Sequence, residues 1–312
     1  MKKDNGKVRG IVAGSVLRRL SCRAVVSQYS DALMAATAPF QFALQTKAGT
    51  DALAHALRYL TDADEDTVVA SLDGVGAFDH VRRDRFLSKL ADTPSLVQLL
   101  PLAKMLYGSQ SRFLWSDANG TTHEIEQGEG GEQGCPLMPA LYALAPHDAV
   151  VAASANLQRG GRVFSFLDDL YVVTMRQRAH SAFREVANQV AAHAGVQTHL
   201  GKLKVWCRGG GPPPEDLAAA VPGAWVADKS EEENGLVVLG TPLGKPAFVE
   251  AHAAERMEKE SLLLDRLADL DDLQCQWVML SQPAVPRANH LVRILPPSLS
   301  RTYAERHDEA LW

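Results

Sequence analysis

The sequence predicts an α+β fold, because short β-strand-like runs alternate with segments of helical periodicity. Two β-branched or aromatic runs, residues 163–166 and 171–173, flank Asp168–Asp169 and predict a hairpin that turns at these acids. Residues 178–194 repeat their apolar side chains at helical spacing and are followed by Gly195, a residue typical of helix C-termini. The strand pattern and the helical pattern therefore both occur between residues 163 and 194.

The first half of the chain supplies further elements in order. Residues 15–36 predict a helix, and Thr50 is a good N-cap for a second helix whose apolar residues share one face. The apolar run 68–72 predicts a buried strand that ends at an acid. Residues 84–90 and 95–107 predict two more helices.

The second half continues the pattern. Residues 111–115 and 121–126 predict a hairpin, with Asn119–Gly120 as the turn signal. A helix is expected after Pro139, before the acidic hairpin. The glycine- and proline-rich residues 208–214 predict a linker, and residues 250–270 predict a late helix.

Asp168–Asp169 and Asp73 suggest a metal site. For the dipeptide alone, a solvated acidic turn is the simpler interpretation. Asp73, however, follows a strand-like run and precedes a glycine-loosened turn, a place where chemistry tends to sit in sheet proteins. Three carboxylates from two strand ends can hold two Mg²⁺ ions about 3.5–4 Å apart. We interpret the nearby Asp79 as a helix N-cap or a partner of Arg82–Arg83 rather than as a ligand.

Several motifs occur in a fixed order along residues 7–240. They include Leu-Asp-Gly-Val-Gly-Ala-Phe-Asp at 72–79, Gln-Gly-Cys-Pro-Leu-Met-Pro at 133–139 and Phe-Leu-Asp-Asp at 166–169. In this order they resemble the motifs of reverse transcriptases of the non-LTR (LINE-like) retroelement family. Any one motif alone is weak evidence, and the ordered set is strong.

The resemblance assigns roles to the central residues. It implies that Asp73, Asp168 and Asp169 are catalytic metal ligands for two Mg²⁺ ions, with Mn²⁺ as an alternative. It implies that Phe78 packs under the incoming sugar and excludes a 2′-hydroxyl. Gln133–Gly134 would lie against the template base and the nucleotide.

The resemblance also covers more distant residues. Lys202 would approach the triphosphate as a catalytic residue, and Arg9, in a fingers segment, would hold the triphosphate. Leu239–Gly240 would grip the primer. Some positions depart from the family pattern, which has proline, serine and asparagine where this chain has Gly10, Met138 and His199.

The implied fold is a right-hand polymerase palm, an antiparallel sheet with helices on one face, with fingers and a partial thumb. Residues 1–240 would form fingers and palm, and residues 241–312 a partial thumb or C-terminal helical extension. The fingers would comprise approximately residues 1–66 and 95–132. The palm would comprise approximately residues 67–94 and 133–240.

Composition limits the class of protein. The 312 residues carry a net charge of −5, unusual for a nucleic-acid binder, but residues 1–30 hold seven Lys or Arg against one acid. The four cysteines form no Cys-x-x-Cys pair, so neither a zinc site nor a disulfide framework is indicated. No signal peptide or membrane span is predicted, so we expect an intracellular protein of the nucleus or cytoplasm with no membrane partner.

The expected activity is RNA-directed DNA polymerisation with an RNA template, a DNA or RNA primer and deoxynucleoside triphosphates. Three alternatives remain open at this point. An RNA-dependent RNA polymerase shares the palm, although Phe166 and Phe78 argue against it. A non-catalytic palm used for RNA binding or assembly would not need all three carboxylates. A poorly folding gene fragment or decayed copy is the third.

Overall fold

The computed structural model describes residues 12, 14–44, 46–157 and 160–312. The chain divides into two compact units. Unit 1 comprises residues 1–49 and 70–203, and unit 2 comprises residues 50–69 and 204–312.

Helices and strands alternate along the described chain. The helices are α1 Val16–Gln28, α2 Ser30–Thr37, α3 Gly49–Ala63, α4 Ala77–His80, α5 Arg83–Asp92, α6 Leu100–Tyr107, α7 Met138–Leu144, α8 His147–Asn156, α9 Ala179–Ala194, α10 Glu215–Ala220, α11 Pro246–Ala268, α12 Leu273–Met279, α13 Asn289–Ile294 and α14 Pro297–Leu311. The strands are β1 Thr67–Leu72, β2 Ser111–Ser116, β3 Thr122–Gln127, β4 Arg162–Phe166, β5 Asp169–Met175, β6 Lys204–Cys207, β7 Gly235–Val238 and β8 Thr241–Gly244.

The strands form one larger sheet and two hairpins. The larger sheet has the strand order β4-β5-β1-β6. Strands β4 and β5 pair in antiparallel register, with Phe166 opposite Asp169, so Leu167 and Asp168 form a two-residue turn. The predicted acidic hairpin is confirmed, and its turn carries one of the two acids.

Helix predictions near the N-terminus are confirmed in outline. The predicted helix 15–36 is two helices, α1 and α2, which meet at Tyr29. The N-cap prediction at Thr50 is wrong, because α3 begins one residue earlier at Gly49, whose N–H donates to the Thr46 carbonyl at 3.0 Å. Thr50 lies inside the first turn and its hydroxyl donates to Asp51 at 3.2 Å.

The hairpin of β2 and β3 is also confirmed. Asp117 Oδ1 accepts hydrogen bonds from the Asn119 and Thr121 N–H groups at 2.9 and 3.0 Å. An Asp side chain that satisfies turn amides in this way stabilises the reversal at little cost. Helix α9 likewise ends as predicted, with Gly195 in the left-handed region at φ 78°.

The prediction of a linker at residues 208–214 is wrong. Gly209 N–H donates to the Glu65 carbonyl at 3.0 Å, and Trp225 Nε1 donates to the Gly211 carbonyl at 2.9 Å. The segment is therefore bonded within unit 2, while the division between the units falls between Leu203 and Lys204. Glycine and proline therefore occur in an irregular, packed segment here and do not form a flexible linker.

Two further properties concern membrane-spanning helices and cysteines. Among the described residues no helix is both long enough and apolar enough to span a bilayer. Cys22, Cys135 and Cys207 are buried, whereas Cys275 on α12 is exposed. Burial raises the pKa of the Cys22 thiol to about 11, with a smaller contribution from Cys135.

A buried carboxylate connects the helices of unit 2. Glu260 on α11 is 2% exposed and accepts hydrogen bonds from the Tyr303 hydroxyl at 2.8 Å and from Arg256 Nε at 3.1 Å. His307 Nδ1 lies 3.1 Å from the same carboxylate. Burial, followed by the bond to Glu260, raises the pKa of Tyr303 above its ordinary value. The carboxylate is stable here because its oxygens are shared among several donors.

We expect Glu260→Gln to lower the free energy of unfolding by about 3–5 kcal/mol, because it removes one partner from a buried ionic network. Urea denaturation measures the change. Glu255→Gln is the matched control, since Glu255 lies on the same helix and pairs with Lys259 in solvent. Equal effects of the two substitutions would show that the buried network contributes nothing special.

Candidate active site

Six of the predicted site residues line one cleft in unit 1. The cleft has a volume of about 500 Å³. The six residues are Asp73, Phe78, Gln133, Gly134, Asp168 and Lys202. They come from widely separated parts of the sequence, so the fold brings them together.

Asp73 is placed by the strand that precedes it. Val68, Val69 and Leu72 of β1 are buried, which anchors the strand and leaves the next residue at its C-terminal end. The backbone at Asp73 is fixed by the loop after α9, because His199 N–H donates to the Asp73 carbonyl at 2.8 Å. Asp73 therefore has little freedom to move away from the cleft.

Lys202 is positioned by the same loop. Gly74 and Thr198 form an antiparallel bridge, and Val75 N–H donates to the Gln197 carbonyl at 2.8 Å. A short 3₁₀ turn, Leu200–Lys202, follows and directs the lysine back to the cleft. Lys202 Nζ forms an ion pair with Asp73 Oδ2.

Asp168 and Asp169 come from the turn between β4 and β5 and from the first residue of β5. The pKa of Asp169 is raised to about 6, first by burial and then by the charges of Asp168 and Asp73, while Lys202 opposes the shift. The shift has this sign because both burial and like charges disfavour ionisation. Asp169 thus lies within electrostatic range of Asp168 and Asp73.

Phe78 is supported by a second aromatic ring. It stacks on Tyr142 of α7 with ring centroids 4.7 Å apart and an interplanar angle of 21°. Tyr142 is 2% exposed, and burial, with smaller contributions from Asp168, Asp169 and Asp73, raises the pKa of its phenol. Tyr142 was not predicted from the sequence, since an aromatic residue on an apolar helix reads as ordinary core.

Gln133 and Gly134 form a loop that is bonded on two sides. The Gln133 carbonyl accepts from Val12 N–H at 3.2 Å, and its side-chain amide donates to Asp79 at 3.2 Å. Gly134 has φ 129°, and a Cβ at that position would lie 2.7 Å from the Val12 carbonyl oxygen. Only glycine fits there without a shift of the backbone.

The interpretation of Asp79 is corrected by these contacts. Asp79 lies within α4 and accepts from Gln133, so it is neither an N-cap nor a partner of the two arginines. Arg82 pairs instead with Asp84 at 2.7 Å, and Arg83 donates to the Gly130 carbonyl at 2.8 Å. Arg82 therefore pairs with the acid two residues after it, and Arg83 bonds a backbone carbonyl.

Two buried ionic residues next to the cleft were missed by the sequence analysis. Glu132 is 4% exposed and pairs with Arg18 Nη1 of α1 at 2.8 Å. Arg83 is 7% exposed and also donates to the Ser109 carbonyl at 2.7 Å. Both hold the backbone around the Gln133 loop, and no local motif marks either of them.

One departure from the family pattern has a structural explanation. Met138 is 1% exposed, and its Sδ lies where a Cβ on Gly131 would stand, at 1.9 Å. The absence of a side chain at Gly131 therefore makes room for the larger Met138. Nothing in the structure explains the histidine at position 199.

The other predicted residues lie elsewhere. Leu239 and Gly240 form the two-residue turn between β7 and β8 in unit 2, with φ 50° and 84°. Positive φ at both positions is typical of a type I′ hairpin turn. Thr241 Oγ1 lies 3.4 Å from His290 Nε2 beside this turn. Arg9 lies outside the described residues.

The carboxylates fit a hard divalent cation by their chemistry, because such ions prefer carboxylate oxygens. Their mutual effect on the pKa of Asp169 places Asp73, Asp168 and Asp169 within range of one another. In the part of the chain that the structure describes, no group of three or more His, Cys, Asp or Glu forms a ready-made metal site. The ion pair with Lys202 engages one oxygen of Asp73.

We expect Asp169→Asn to raise the urea midpoint of the metal-free protein at pH 7 to 8, in the presence of a chelator. Because the folded pKa of about 6 lies above the unfolded value of about 3.9, the ionised form is disfavoured by folding. The carboxylate thus costs stability as the pH rises through 6, and the gain from Asn should vanish near pH 4. A gain independent of pH would contradict this explanation.

The site can now be compared with known proteins. Curated protein sequences give no match to this chain. Telomerase from Candida tropicalis, truncated from the C-terminal domain, matches with 10% identity and a TM-score of 0.49, covering 72% of this chain and 44% of that one. Telomerase from Candida albicans in complex with a fragment of telomeric RNA matches with 10% identity and a TM-score of 0.48, covering 94% and 51%.

A Sicinivirus RNA-dependent RNA polymerase also matches, with 11% identity, a TM-score of 0.37 and coverage of 84% of this chain and 49% of that one. The chain spans about half the length of these solved structures.

The family model for reverse transcriptase (RNA-dependent DNA polymerase) matches residues 1–243, well over half of the chain. That match covers the strand ending at Asp73, the hairpin at Asp168–Asp169 and the turn at Leu239–Gly240. The predicted fold class, α+β with a right-hand polymerase palm, is confirmed. The chain belongs to the reverse transcriptase family.

Proposed function

We propose that this protein is an RNA-directed DNA polymerase that adds deoxynucleotides to a primer 3′-hydroxyl. The observation that carries the proposal is the single cleft shared by Asp73, Asp168, Lys202, Phe78 and Gln133. Family membership gives that cleft its chemistry, because the reverse transcriptase match includes every one of these residues. Its partners are an RNA template, a DNA or RNA primer and deoxynucleoside triphosphates.

In this proposal Asp73, Asp168 and Asp169 hold the divalent cations, two Mg²⁺ ions or Mn²⁺. When bound, such ions lower the pKa of the attacking hydroxyl and neutralise charge on the phosphates. The pKa of Asp169, raised by burial and then by the charges of Asp168 and Asp73, supports the assignment, since a bound cation would stabilise the ionised carboxylate. Gathering these acids without a cation has no evident benefit for stability.

The other residues align the substrates. The primer 3′-oxygen attacks the α-phosphorus of the nucleotide and forms a new P–O bond, and the hydroxyl proton passes to water. The bond between the α-phosphorus and the bridging oxygen breaks to release pyrophosphate. We assign two roles to Lys202: it neutralises charge on the triphosphate, and it donates a proton to the leaving pyrophosphate. We assign the contact with the template base and the nucleotide to Gln133–Gly134, whose loop is held by hydrogen bonds to Val12 and Asp79. This is catalysis by alignment and charge neutralisation.

The finer assignment is to an enzyme of a non-LTR retrotransposon. It is supported by the Phe-Leu-Asp-Asp hairpin and by the order of the motifs between residues 72 and 240. Leu239–Gly240 is the proposed primer grip, since its type I′ turn presents backbone groups at a rigid hairpin end. Arg9 is the proposed fingers contact to the triphosphate. The fingers, palm and thumb boundaries given by the sequence remain part of this proposal.

An RNA-dependent RNA polymerase and a non-catalytic RNA-binding palm are the competing functions. The first should use ribonucleotides, and Phe78 argues against it because the residue at this position in the reverse transcriptase family excludes a 2′-hydroxyl; stacking on Tyr142 supports the ring. The second should bind RNA without extending a primer. Retention of all three acids and of Lys202 favours the catalytic assignment.

Primer extension on an RNA template with Mg²⁺ or Mn²⁺ tests the activity. We expect wild-type protein to add deoxynucleotides and Asp168→Asn to lose at least about 1,000-fold in rate, the scale of one electrostatic contact made to the reacting groups. Asp148→Asn is the matched control, since Asp148 pairs with Lys89 on the surface. Absence of extension by well-folded wild-type protein would reject the proposal.

Phe78 sets the expected choice of sugar. Replacing it by the smaller Val should raise the ratio of ribonucleotide to deoxynucleotide kcat/KM by about 10–100-fold, the discrimination available to one steric contact. Single-nucleotide incorporation with each substrate measures the ratio. Tyr107→Phe, at a buried aromatic outside the cleft, should leave the ratio unchanged. If wild-type protein prefers ribonucleotides, the role given to Phe78 is wrong.

A further inference from the structure

We infer that Gln41 is a positioning residue for the Asp168–Asp169 hairpin. Its side-chain amide bonds the turn that carries the acids and thereby fixes the direction of Asp168 into the cleft. The inference deepens the proposed function and rests on it for its kinetic consequences. Gln41 lies in the segment between α2 and α3, distant in sequence from the motifs at 72–79, 133–139 and 166–169.

The side chain of Gln41 forms three hydrogen bonds. Its Oε1 accepts from Leu167 N–H at 2.9 Å and from Ala43 N–H at 3.0 Å. Its Nε2 donates to Ser165 Oγ at 3.0 Å. The Ser165 hydroxyl in turn donates to the Leu167 carbonyl at 3.2 Å. The Leu167 N–H is therefore bonded by Gln41 itself, and the Leu167 carbonyl is bonded by the Ser165 hydroxyl that Gln41 contacts.

The backbone on each side of Gln41 holds the amide in register. Ser165 N–H donates to the Phe40 carbonyl and Phe42 N–H donates to the Ser165 carbonyl, both at 2.8 Å. Gln41 and Ser165 thus form a parallel bridge beside β4. Gln41 is only 9% exposed, so water does not compete freely for its bonds. The contact spans more than 120 positions of sequence.

The turn needs such support because of its backbone. Leu167 has φ 54°, in the left-handed region that favours glycine and that a leucine enters only at a cost. In a two-residue hairpin turn a positive φ at the first central position sets where the next residue points. That next residue is Asp168, which lines the cleft. Without the amide, we expect Leu167 to relax and Asp168 to turn away.

A role confined to packing would predict a different result. If Gln41 only satisfied buried polar groups, its loss would be equally harmful whatever residue occupied position 167. If it stabilises the left-handed turn, glycine at 167 should compensate, because glycine takes this conformation without the Cβ clash. The second position therefore distinguishes the two explanations.

The kinetic test compares Gln41→Met, Leu167→Gly and the double variant in primer extension. We expect Gln41→Met to lower kcat by about 100-fold, the cost of misplacing a catalytic group by about 1 Å, with a smaller change in the KM of the nucleotide. The double variant should recover at least tenfold of that loss, within the same scale of positioning effects. Gln189→Met, at a glutamine bonded to Glu185 on α9, is the matched control and should retain wild-type kcat. An unchanged kcat in Gln41→Met, or no recovery in the double variant, would overturn the inference.

A thermal-unfolding measurement on the same proteins needs no activity. The shifts in melting temperature caused by Gln41→Met and by Leu167→Gly should not add in the double variant, because both substitutions act on the same left-handed turn. Additive shifts would overturn the positioning role. If wild-type protein extends no primer, the proposed function fails while the melting temperatures still decide whether Gln41 supports the turn.

Discussion

The burial of Asp169, within electrostatic range of Asp168 and Asp73, is the constraint around which the cleft of unit 1 is built. Burial and like charge raise the pKa of Asp169, so the fold holds these acids close against their own electrostatics. Each is carried by backbone that is fixed independently: Asp73 by the end of β1 and the loop after α9, and the pair by the β4–β5 hairpin. Lys202 supplies the opposing positive charge from that same loop. The surrounding hydrogen bonds therefore hold the three acids at a separation that free carboxylates would not adopt.

Local signals in the sequence predicted most of the secondary structure. Asn119–Gly120 marked the β2–β3 turn and Gly195 marked the end of α9, because turn and cap residues act through their own backbone. The errors arose where a local rule met a competing contact. Thr50 was displaced as a cap by the earlier start of α3, and the segment 208–214 found backbone partners in unit 2. The acids of the proposed metal site were identified because several motifs agreed in order, not because any one was decisive.

The contacts that shape the cleft were beyond the reach of the sequence. Gln41 meets Leu167, Tyr142 stacks on Phe78 and Glu132 pairs with Arg18, each across a long stretch of chain. Gln41, Tyr142 and Glu132 lie in none of the quoted motifs, and each would be interpreted in isolation as a core or surface residue. Their roles follow from tertiary geometry, which places a bond donor or a ring beside a group that the motifs identify.

The distribution of thiols gives the protein a natural attachment point for a reporter. Three cysteines are buried, and the pKa of the Cys22 thiol is about 11, so little of the reactive thiolate is present at neutral pH. Cys275 on the exposed surface of α12 is left as the accessible nucleophile. A maleimide dye added to the folded protein should attach there without any engineered cysteine. Cys275 thus provides a labelling site on the C-terminal helices, far in sequence from the residues of the cleft.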